Sequence, residues 1–268
     1  MDEYEAVLIG DIPSHERNLF VKHGFEKGIR CYGLPKISDI MIRSAESIDL
    51  FDTPVLLYRN QSLSLSQKIL KRLLDIVVSL IVLIPCLIIM AVVAILIKKY
   101  DHGPIFYRQK RLTFDGREFD IIKFRSMVVD AEKQGAMLAK ETDDRITPVG
   151  RVIRRLHFDE IPQIFNILKG DMSLVGPRPE RPDIAAKYRE SIPEFDFRLK
   201  VKAGLTGYAQ VYGQYNTAPY DKLKLDLTYI ENYSLALDIK LIFLTVKIFF
   251  MKEKSQGVDN EQKTALKE

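Results

Sequence analysis

An apolar run over residues 76–97 constrains this chain more than any other feature. It reads IVVSLIVLIPCLIIMAVVAILI, about 22 residues without a charge, which at about 1.5 Å per residue is enough to cross a bilayer core. Pro85 lies near its middle, where it removes a helix hydrogen bond and bends the axis. Cations lie at both ends of the run: Lys68, Lys71, Arg72, Lys98 and Lys99.

This charge pattern marks neither end of the run as the far side of a membrane. A helix that bends at Pro85 and re-enters one leaflet is therefore favoured over a spanning helix. A buried core helix of a soluble protein is the third interpretation. It is the least favoured of the three, because core helices rarely stay apolar on every face for this long.

The composition is otherwise that of a globular protein. With 268 residues, 47% hydrophobic and 28% charged, the chain has room for one or two domains. The net charge of +4 suits an anionic partner such as a nucleotide, a lipid phosphate or a membrane surface. Cys31 and Cys86 suggest neither a disulfide framework nor a metal site, and the acidic N-terminus is not a signal peptide.

The first 60 residues predict a short α/β fragment. EYEAVLIG and IRCYGLP have the pattern of strands, and SHERNLFVKHGFEKG between them has that of a helix. This is too little for a complete doubly wound domain, and no G-x-G-x-x-G turn is present to hold a dinucleotide. The polar segment SLSLSQK, residues 62–68, then leads into the apolar run.

A basic β-hairpin is predicted after the apolar run. PIFYRQKRLTFDGREFDIIKFRSM contains two alternating segments joined around Asp115 and Gly116. Lys123 and Arg125 share a strand face, so an anion site is one interpretation and a solvated hairpin near anionic lipid is the other. The hairpin's cations are Arg108, Lys110, Arg111, Arg117, Lys123 and Arg125.

Two helices are predicted on either side of the stretch HFDEIPQIFN. The first begins at Thr147 and Pro148, with Val149, Val152, Ile153 and Leu156 as its buried stripe. The second ends at Gly170 and tolerates Pro162 only in its first turn, which places Asp159 and Glu160 at its N-terminus.

This placement predicts more than a surface charge pair for Asp159 and Glu160. Free N–H groups and the helix dipole would keep a carboxylate ionised there, and Arg151, Arg154 and Arg155 could hold a phosphate beside it. An ionised carboxylate facing a phosphate is positioned as a nucleophile. Helix capping with a solvated charge pair is the alternative.

Three later segments add weaker signals. In MSLVGPRPERP the two prolines present Arg178 on a stiff loop, which suits recognition or a structural ion pair. KVKAGLTGYAQVYG places glycines around a short strand, where backbone could approach a ligand. DIKLIFLTVKIFFM fits an interfacial helix or a core helix with lysines at its edge.

Taken in order, these motifs resemble one family. KRLLD before the proline-broken apolar run, PIFYRQKR, IIKFRSM, RRLHFDEIPQIFNILKGDMSLVGPRPE and KAGLTGYAQVYG are similar to the bacterial sugar transferases over roughly residues 66–252. These are monotopic phosphoglycosyl transferases, which prime glycan synthesis on undecaprenyl phosphate.

The resemblance implies an α+β fold. It predicts a mainly helical, membrane-associated catalytic domain over residues 69–252, with a re-entrant helix at 70–99 and a small β-hairpin. A partial Rossmann-like accessory segment (1–60) and a linker (61–68) would precede it, and a disordered tail (253–268) would follow. Larger members carry several transmembrane helices before this point, so the chain is expected to be a short or truncated form.

The resemblance also implies a reaction. Asp159 would attack the β-phosphorus of a UDP-sugar, and undecaprenyl phosphate would resolve the covalent intermediate in a ping-pong scheme that releases UMP. The catalytic residues would be Asp159 and Glu160, which would also hold Mg²⁺. The expected substrate-binding residues are Arg154, Arg178, Lys123, Arg125, Arg111, Lys71 and Arg72.

The expected setting is the cytosolic face of a bacterial inner membrane, at the first membrane step of exopolysaccharide, capsule or O-antigen-type synthesis. The expected partners are the UDP-sugar, undecaprenyl phosphate, the inner leaflet and a second copy of the chain, with no nucleic acid. Two alternatives stay open: a non-catalytic membrane scaffold, and a glycosyltransferase that releases UDP. The sequence marks no sugar pocket.

Overall fold

The computed structural model describes residues 4–50, 52–58, 63–129, 131, 143–214 and 217–249. The chain divides into two compact units, one up to residue 58 and one from residue 59 onward, which are described separately. Helices dominate, and the described strands form four two-stranded sheets.

The first unit contains the predicted α/β fragment. Strands β1 (Ala6–Ile9) and β2 (Arg30–Gly33) pair in parallel, and helix α1 (Ser14–Lys27) connects them. Helix α1 ends at Gly28, whose φ of 68° is left-handed and suits glycine. The strand–helix–strand interpretation of this segment is confirmed.

Sequence patterns missed the second half of this unit. Helix α2 (Ile37–Arg43) is followed by an antiparallel hairpin of β3 (Glu46–Leu50) and β4 (Thr53–Leu57). All side chains of β3 and β4 are exposed, so neither strand has the alternation of burial that period-2 patterns detect.

The apolar run lies within one helix, α3 (Leu65–Asp101), which contains Pro85. Ser64 caps it by accepting a hydrogen bond from the Gln67 N–H. One face of α3 is buried against the rest of the second unit, and only 17% of its most apolar stretch is buried. In the described chain α3 alone is long and apolar enough to cross a membrane. This exposure argues against a core helix, and the re-entrant path remains a prediction.

The predicted hairpin is confirmed. Strands β5 (Phe106–Leu112) and β6 (Glu118–Phe124) are antiparallel, and Asp115 and Gly116 adopt positive φ in the turn. Phe124 at the end of β6 joins the apolar cluster that receives the second half of α3, where the other buried members are Met90, Val93, Ile97 and Ile153.

Helix α4 (Pro148–Arg155) begins as predicted, with the Thr147 side chain accepting from the Gly150 N–H at 2.8 Å. Its buried stripe was predicted only in part. Ile153 is buried, but Val152 is 49% exposed and Leu156 is 39% exposed. The helix is short and packs on one narrow side, so the flanking apolar positions of the stripe stay at the surface.

The rest of the second unit packs around Tyr229, Ile167, Met172, Leu223 and Leu241, all essentially inaccessible. Two of its strands are parallel neighbours. Its elements are α5 (Gln163–Lys169), β7 (Ser173–Val175), α6 (Pro182–Ser191), β8 (Gly204–Thr206), α7 (Tyr208–Tyr212), α8 (Pro219–Glu231) and α9 (Leu235–Phe249).

One sequence interpretation changes at this level, and another stays open. A Cβ on Gly204 would lie 2.1 Å from the Gly176 backbone nitrogen, so this glycine allows two strands to approach each other and not a ligand. Helix α9 buries Leu241 but exposes Phe243 and Val246, so it keeps both predicted characters. The predicted tail, residues 253–268, lies outside the described residues.

Candidate active site

The Asp159–Glu160 pair lies in a short 3₁₀ turn, Phe158–Glu160, between α4 and α5. His157 has a φ of 52°, which ends α4 and redirects the chain into this turn. The flanking residues Phe158 and Ile161 pack into the apolar cluster of α3. The sequence predicts that the carboxylates lie at the N-terminus of the second helix; α5 begins at Gln163, so they lie in the turn that leads into it and not within the helix.

Glu160 is held by two cations. Lys123 donates to its Oε1 at 2.7 Å and Arg178 donates to the same oxygen at 3.0 Å. Burial alone would raise the pKa of Glu160, but the charges and hydrogen bonds of Arg178 and Lys123 hold that pKa well below its usual value. Glu160 is therefore ionised at neutral pH.

Asp159 is in a different state. Among the described residues nothing donates a hydrogen bond to its carboxylate. Burial raises its pKa, and the neighbouring charge of Glu160 acts in the same direction, while Lys123 and Arg154 oppose both. The direction is opposite to the stabilised ionisation that the helix-terminus argument predicts, because burial outweighs the nearby cations. Asp159 keeps its oxygens available for a ligand or a reaction.

Arg178 reaches the pair from the loop between β7 and α6, and its side chain is 51% exposed. It makes an ion pair with Glu160, which was one of the two roles predicted for it from the sequence. Arg154 is half-buried on α4, close enough for its charge to act on Asp159, while Arg151 and Arg155 are exposed. Three of the predicted cations thus surround the carboxylates: Lys123, Arg154 and Arg178.

The two cations at the start of α3 have internal partners instead. Lys71 donates to Asp238 Oδ2 at 2.6 Å and to the Tyr229 hydroxyl at 3.0 Å. Arg72 donates to the carbonyls of Ile167 and Leu168, both at 2.6 Å. Their placement gives no support to a substrate-binding role and ties α3 to α9 and to the end of α5.

Arg111 and Arg125 also lie away from the carboxylate pair. Arg125 pairs with Asp101 at the end of α3 and is 7% exposed. Arg111 donates to the Pro179 carbonyl at 3.0 Å, beside the loop that carries Arg178. The shared strand face predicted for Lys123 and Arg125 does not form, because β6 ends at Phe124 and Arg125 turns toward α3.

Sequence reasoning missed a buried ion pair near this site. Arg198 lies 2.8 Å from Asp226, and the two side chains are 5% and 1% exposed. The available signal was the position of Asp226 in α8, within the apolar stripe of Leu223, Leu227 and Ile230. An aspartate in such a stripe needs a buried partner.

The carboxylate pair fits one kind of metal site. Among the described residues, no three His, Cys, Asp or Glu side chains cluster to hold a metal. Mg²⁺ is commonly bound by one or two carboxylates together with substrate phosphates, and it keeps several waters. Asp159 has no hydrogen-bond donor among the described residues, so the pair suits such an ion when a phosphate substrate is present.

Several curated proteins are similar to part of this chain. The UDP-N-acetylgalactosamine-undecaprenyl-phosphate N-acetylgalactosaminephosphotransferase of Aeromonas hydrophila is 41% identical over 181 residues, covering 66% of this chain and 43% of that protein. The UDP-glucose:undecaprenyl-phosphate glucose-1-phosphate transferase of Escherichia coli K12 is 38% identical over 204 residues, 74% of this chain and 42% of that protein. The chain thus spans less than half of either relative.

A shorter relative is matched along most of its length. The uncharacterized sugar transferase EpsL of Bacillus subtilis is 37% identical over 192 residues, which cover 72% of this chain and 93% of EpsL. The family model described as bacterial sugar transferase matches residues 66–252, a range that contains α3, the hairpin, Asp159 and Glu160. The chain belongs to the bacterial sugar transferase family.

Proposed function

We propose that this protein transfers a phospho-sugar from a UDP-sugar to undecaprenyl phosphate and releases UMP. Two of the relatives, those of Aeromonas hydrophila and Escherichia coli, are by their names sugar-phosphate transferases that act on undecaprenyl phosphate. The observation that carries the proposal is the contrast within the carboxylate pair: Glu160 is held by two cations, whereas Asp159 has no donor among the described residues. One carboxylate is thus fixed and its neighbour is free to react.

In the first step, an Asp159 oxygen attacks the β-phosphorus of the UDP-sugar. The new bond joins that oxygen to phosphorus, the bond from the β-phosphorus to the bridging oxygen breaks, and UMP leaves with the bonding electrons. Lys123, Arg154 and Arg178 lie where they can stabilise the negative charge on the phosphates. Glu160 keeps Lys123 and Arg178 oriented.

In the second step, a phosphate oxygen of undecaprenyl phosphate attacks the same phosphorus. The bond to Asp159 breaks and its carboxylate is restored, so the products are a polyprenol diphosphate sugar and the original enzyme. Bound Mg²⁺, held by Asp159 and Glu160, would neutralise phosphate charge. The two half-reactions give ping-pong kinetics.

Helix α3 supports the membrane setting of this reaction. The face of α3 that points away from the rest of the second unit is apolar and exposed, with Ile81, Ile84 and Ile88 between 67% and 71% exposed. A lipid layer would cover this face. We place α3 in the cytosolic leaflet of the inner membrane, bent at Pro85, where a soluble nucleotide and a lipid phosphate can both reach Asp159.

The released nucleotide separates this proposal from its alternatives. Purified full chain is incubated with undecaprenyl phosphate, Mg²⁺ and each member of a panel of UDP-sugars, and nucleotides are separated by chromatography. We expect UMP from at least one sugar, whereas a sugar-only glycosyltransferase yields UDP and a scaffold yields neither. The panel is necessary because one relative is named for N-acetylgalactosamine and another for glucose.

Asp159→Asn tests the covalent step. We expect turnover to fall more than about a thousandfold, because an amide cannot form the acyl phosphate. Intact-protein mass spectrometry without lipid acceptor should show a phospho-sugar adduct on the wild-type chain alone. Asp49→Asn, the same change at an exposed position of the first unit, is the control. An adduct on Asp159→Asn would contradict the assignment.

The re-entrant path of α3 has its own test. Cysteines are placed at Gln67 and Tyr100, near the two ends of α3, in a chain lacking Cys31 and Cys86. Both should react with an impermeant thiol reagent from the cytosolic side only. Pro85→Leu, which restores the helix hydrogen bond that proline removes and so favours a straight apolar helix, should move the label at position 100 to the far side. If positions 67 and 100 are labelled from opposite sides of the membrane in the chain that keeps Pro85, α3 spans the membrane.

A further inference from the structure

Arg178 lies in a loop of residues 176–180. Each of the last four carbonyls of this loop accepts a hydrogen bond from a residue outside it. Pro177 and Pro179 have no N–H, so the loop has few donors of its own. The donors to these carbonyls are Gly204 N–H to Pro177 at 2.9 Å, Arg198 to Arg178 at 2.9 Å, Arg111 to Pro179 at 3.0 Å and Leu112 N–H to Glu180 at 2.9 Å.

Arg198 is the donor to Arg178 itself, and its charge faces a buried carboxylate. The same Nη2 that donates to the Arg178 carbonyl lies 2.8 Å from Asp226 Oδ2. The Arg198 guanidinium also lies over the Phe195 ring, 5.0 Å from its centre. A buried arginine is retained only where its charge is compensated, and Asp226 supplies that charge from the core side of α8.

These contacts form a continuous path to the carboxylate pair. Asp226 holds Arg198, Arg198 holds the backbone of Arg178, and the Arg178 side chain donates to Glu160 at 3.0 Å. Because Arg178 is itself 51% exposed, its direction depends on how firmly its backbone is held. Neither Arg198 nor Asp226 contacts Glu160 or Asp159, so they act on the carboxylate pair only indirectly, and the contact that leads to the pair is the one with the Arg178 backbone.

We propose that Arg198 and Asp226 are a positioning pair, which sets the backbone of Arg178 so that its guanidinium faces Glu160 and the diphosphate of the nucleotide sugar. The inference rests on the proposed function for the identity of that substrate. A buried ion pair that only stabilises the fold is the competing explanation, and it predicts no dependence on the Arg178 side chain.

A double-mutant cycle separates the two explanations. Asp226→Asn and Arg178→Ala are each expected to lower kcat/KM about tenfold to a hundredfold, since each removes a charged interaction on the path. The double variant should lie within about twofold of Arg178→Ala, because without that side chain its positioning no longer matters. Effects that multiply would overturn the proposal.

The controls use the same segment of the chain. Asp196→Asn breaks the exposed pair of Arg189 and Asp196, at 2.8 Å, and should leave kcat/KM unchanged. Arg198→Lys keeps the charge facing Asp226 but loses the planar fork, so it should be impaired although folded. If Asp226→Asn does not fold, Arg198→Lys takes its place in the cycle.

Hydrogen exchange gives a readout that does not need turnover. The amide hydrogens of Gly176, Arg178 and Glu180 should exchange at least about tenfold faster in Asp226→Asn than in the wild type, while Asp196→Asn leaves them unchanged. Unchanged exchange in Asp226→Asn would overturn the positioning role. A wild-type protein that releases no UMP would contradict the proposed function, and the exchange experiment would still decide the positioning role.

Discussion

The cations around Glu160 and the cations at the start of α3 were both expected from the sequence to bind substrate. The structure gives the two sets different partners. Lys71 is 7% exposed at the side chain and is shared between Asp238 and Tyr229. Arg178 is 51% exposed, and Glu160, its partner, is shared with Lys123. The first region is closed on itself, whereas the second has more cationic than anionic groups and opens to solvent.

This difference shows which cations remain available for a phosphate. A buried cation with a buried carboxylate partner would have to lose that partner to bind an external anion, at a large cost. Two cations that share one carboxylate oxygen retain donors directed elsewhere. We therefore propose that Lys71 and Arg72 hold α3, whereas Lys123, Arg154 and Arg178 bind the substrate phosphates.

The largest expected effect concerns the closed region. Lys71→Ala leaves the buried carboxylate of Asp238 without its cation, which should cost about 3–5 kcal/mol of unfolding free energy. Denaturant titration of the detergent-solubilised protein measures it. Lys110→Ala, which removes an exposed pair with Asp120 at 3.4 Å, should cost no more than about 1 kcal/mol. Equal losses for the two variants would remove the distinction between the regions.

A smaller effect is expected in the open region. Arg178→Ala should weaken UDP-sugar binding by about 1.5–3 kcal/mol, the value of a charged hydrogen bond, with little change in unfolding free energy. Calorimetric titration of UDP-sugar into an Asp159→Asn background measures binding without turnover. Arg72→Ala serves as the opposite case, because it should lower stability and leave the affinity unchanged. If Arg72→Ala lowers the affinity instead, Arg72 binds substrate as the family resemblance implied.

Local patterns predicted much of the fold. The hairpin around Asp115 and Gly116, the Thr147 cap and the Gly170 terminus all depend on neighbouring residues, so sequence periodicity and turn chemistry are sufficient to find them. The β3–β4 hairpin was missed because its side chains are exposed on both faces. The path of α3 in a membrane depends on lipid, which no local pattern encodes.

The site was predictable only as a set of residue types. Asp159, Glu160 and the nearby cations could be named, but the roles of the cations depend on contacts between residues far apart in sequence. Lys71 meets Asp238 and Arg198 meets Asp226 across many intervening residues. Such pairings are set by packing, so Lys71 and Arg178 could not be assigned to different regions before the fold was known.

The smallest expected effect is a pH dependence of stability and activity that arises from Asp226. Burial raises the pKa of Asp226 to about 6, the charge of Arg198 opposes this, Glu180 adds to it and Lys222 lowers it. As the pH falls through about 6, the folded protein takes up a proton here before the unfolded chain does. Protonation of Asp226 therefore increases the free energy of unfolding as the pH falls from about 6 to about 4. The same contribution is lost as the pH rises through this range.

Activity should change in the opposite direction. A protonated Asp226 no longer compensates Arg198, so the loop of Arg178 loosens. The value of kcat/KM should fall by about two- to fivefold between pH 7 and pH 5.5, because with a pKa of about 6 part of the protein still carries an ionised Asp226 at pH 5.5. Profiles of kcat/KM for the wild type and Asp226→Asn measure this. The variant should lack the step near pH 6, since an amide does not titrate, and should keep only the decline due to Asp159, whose pKa is also raised. A full step retained in Asp226→Asn would assign the pH dependence to Asp159 and leave Asp226 a structural group like Asp238.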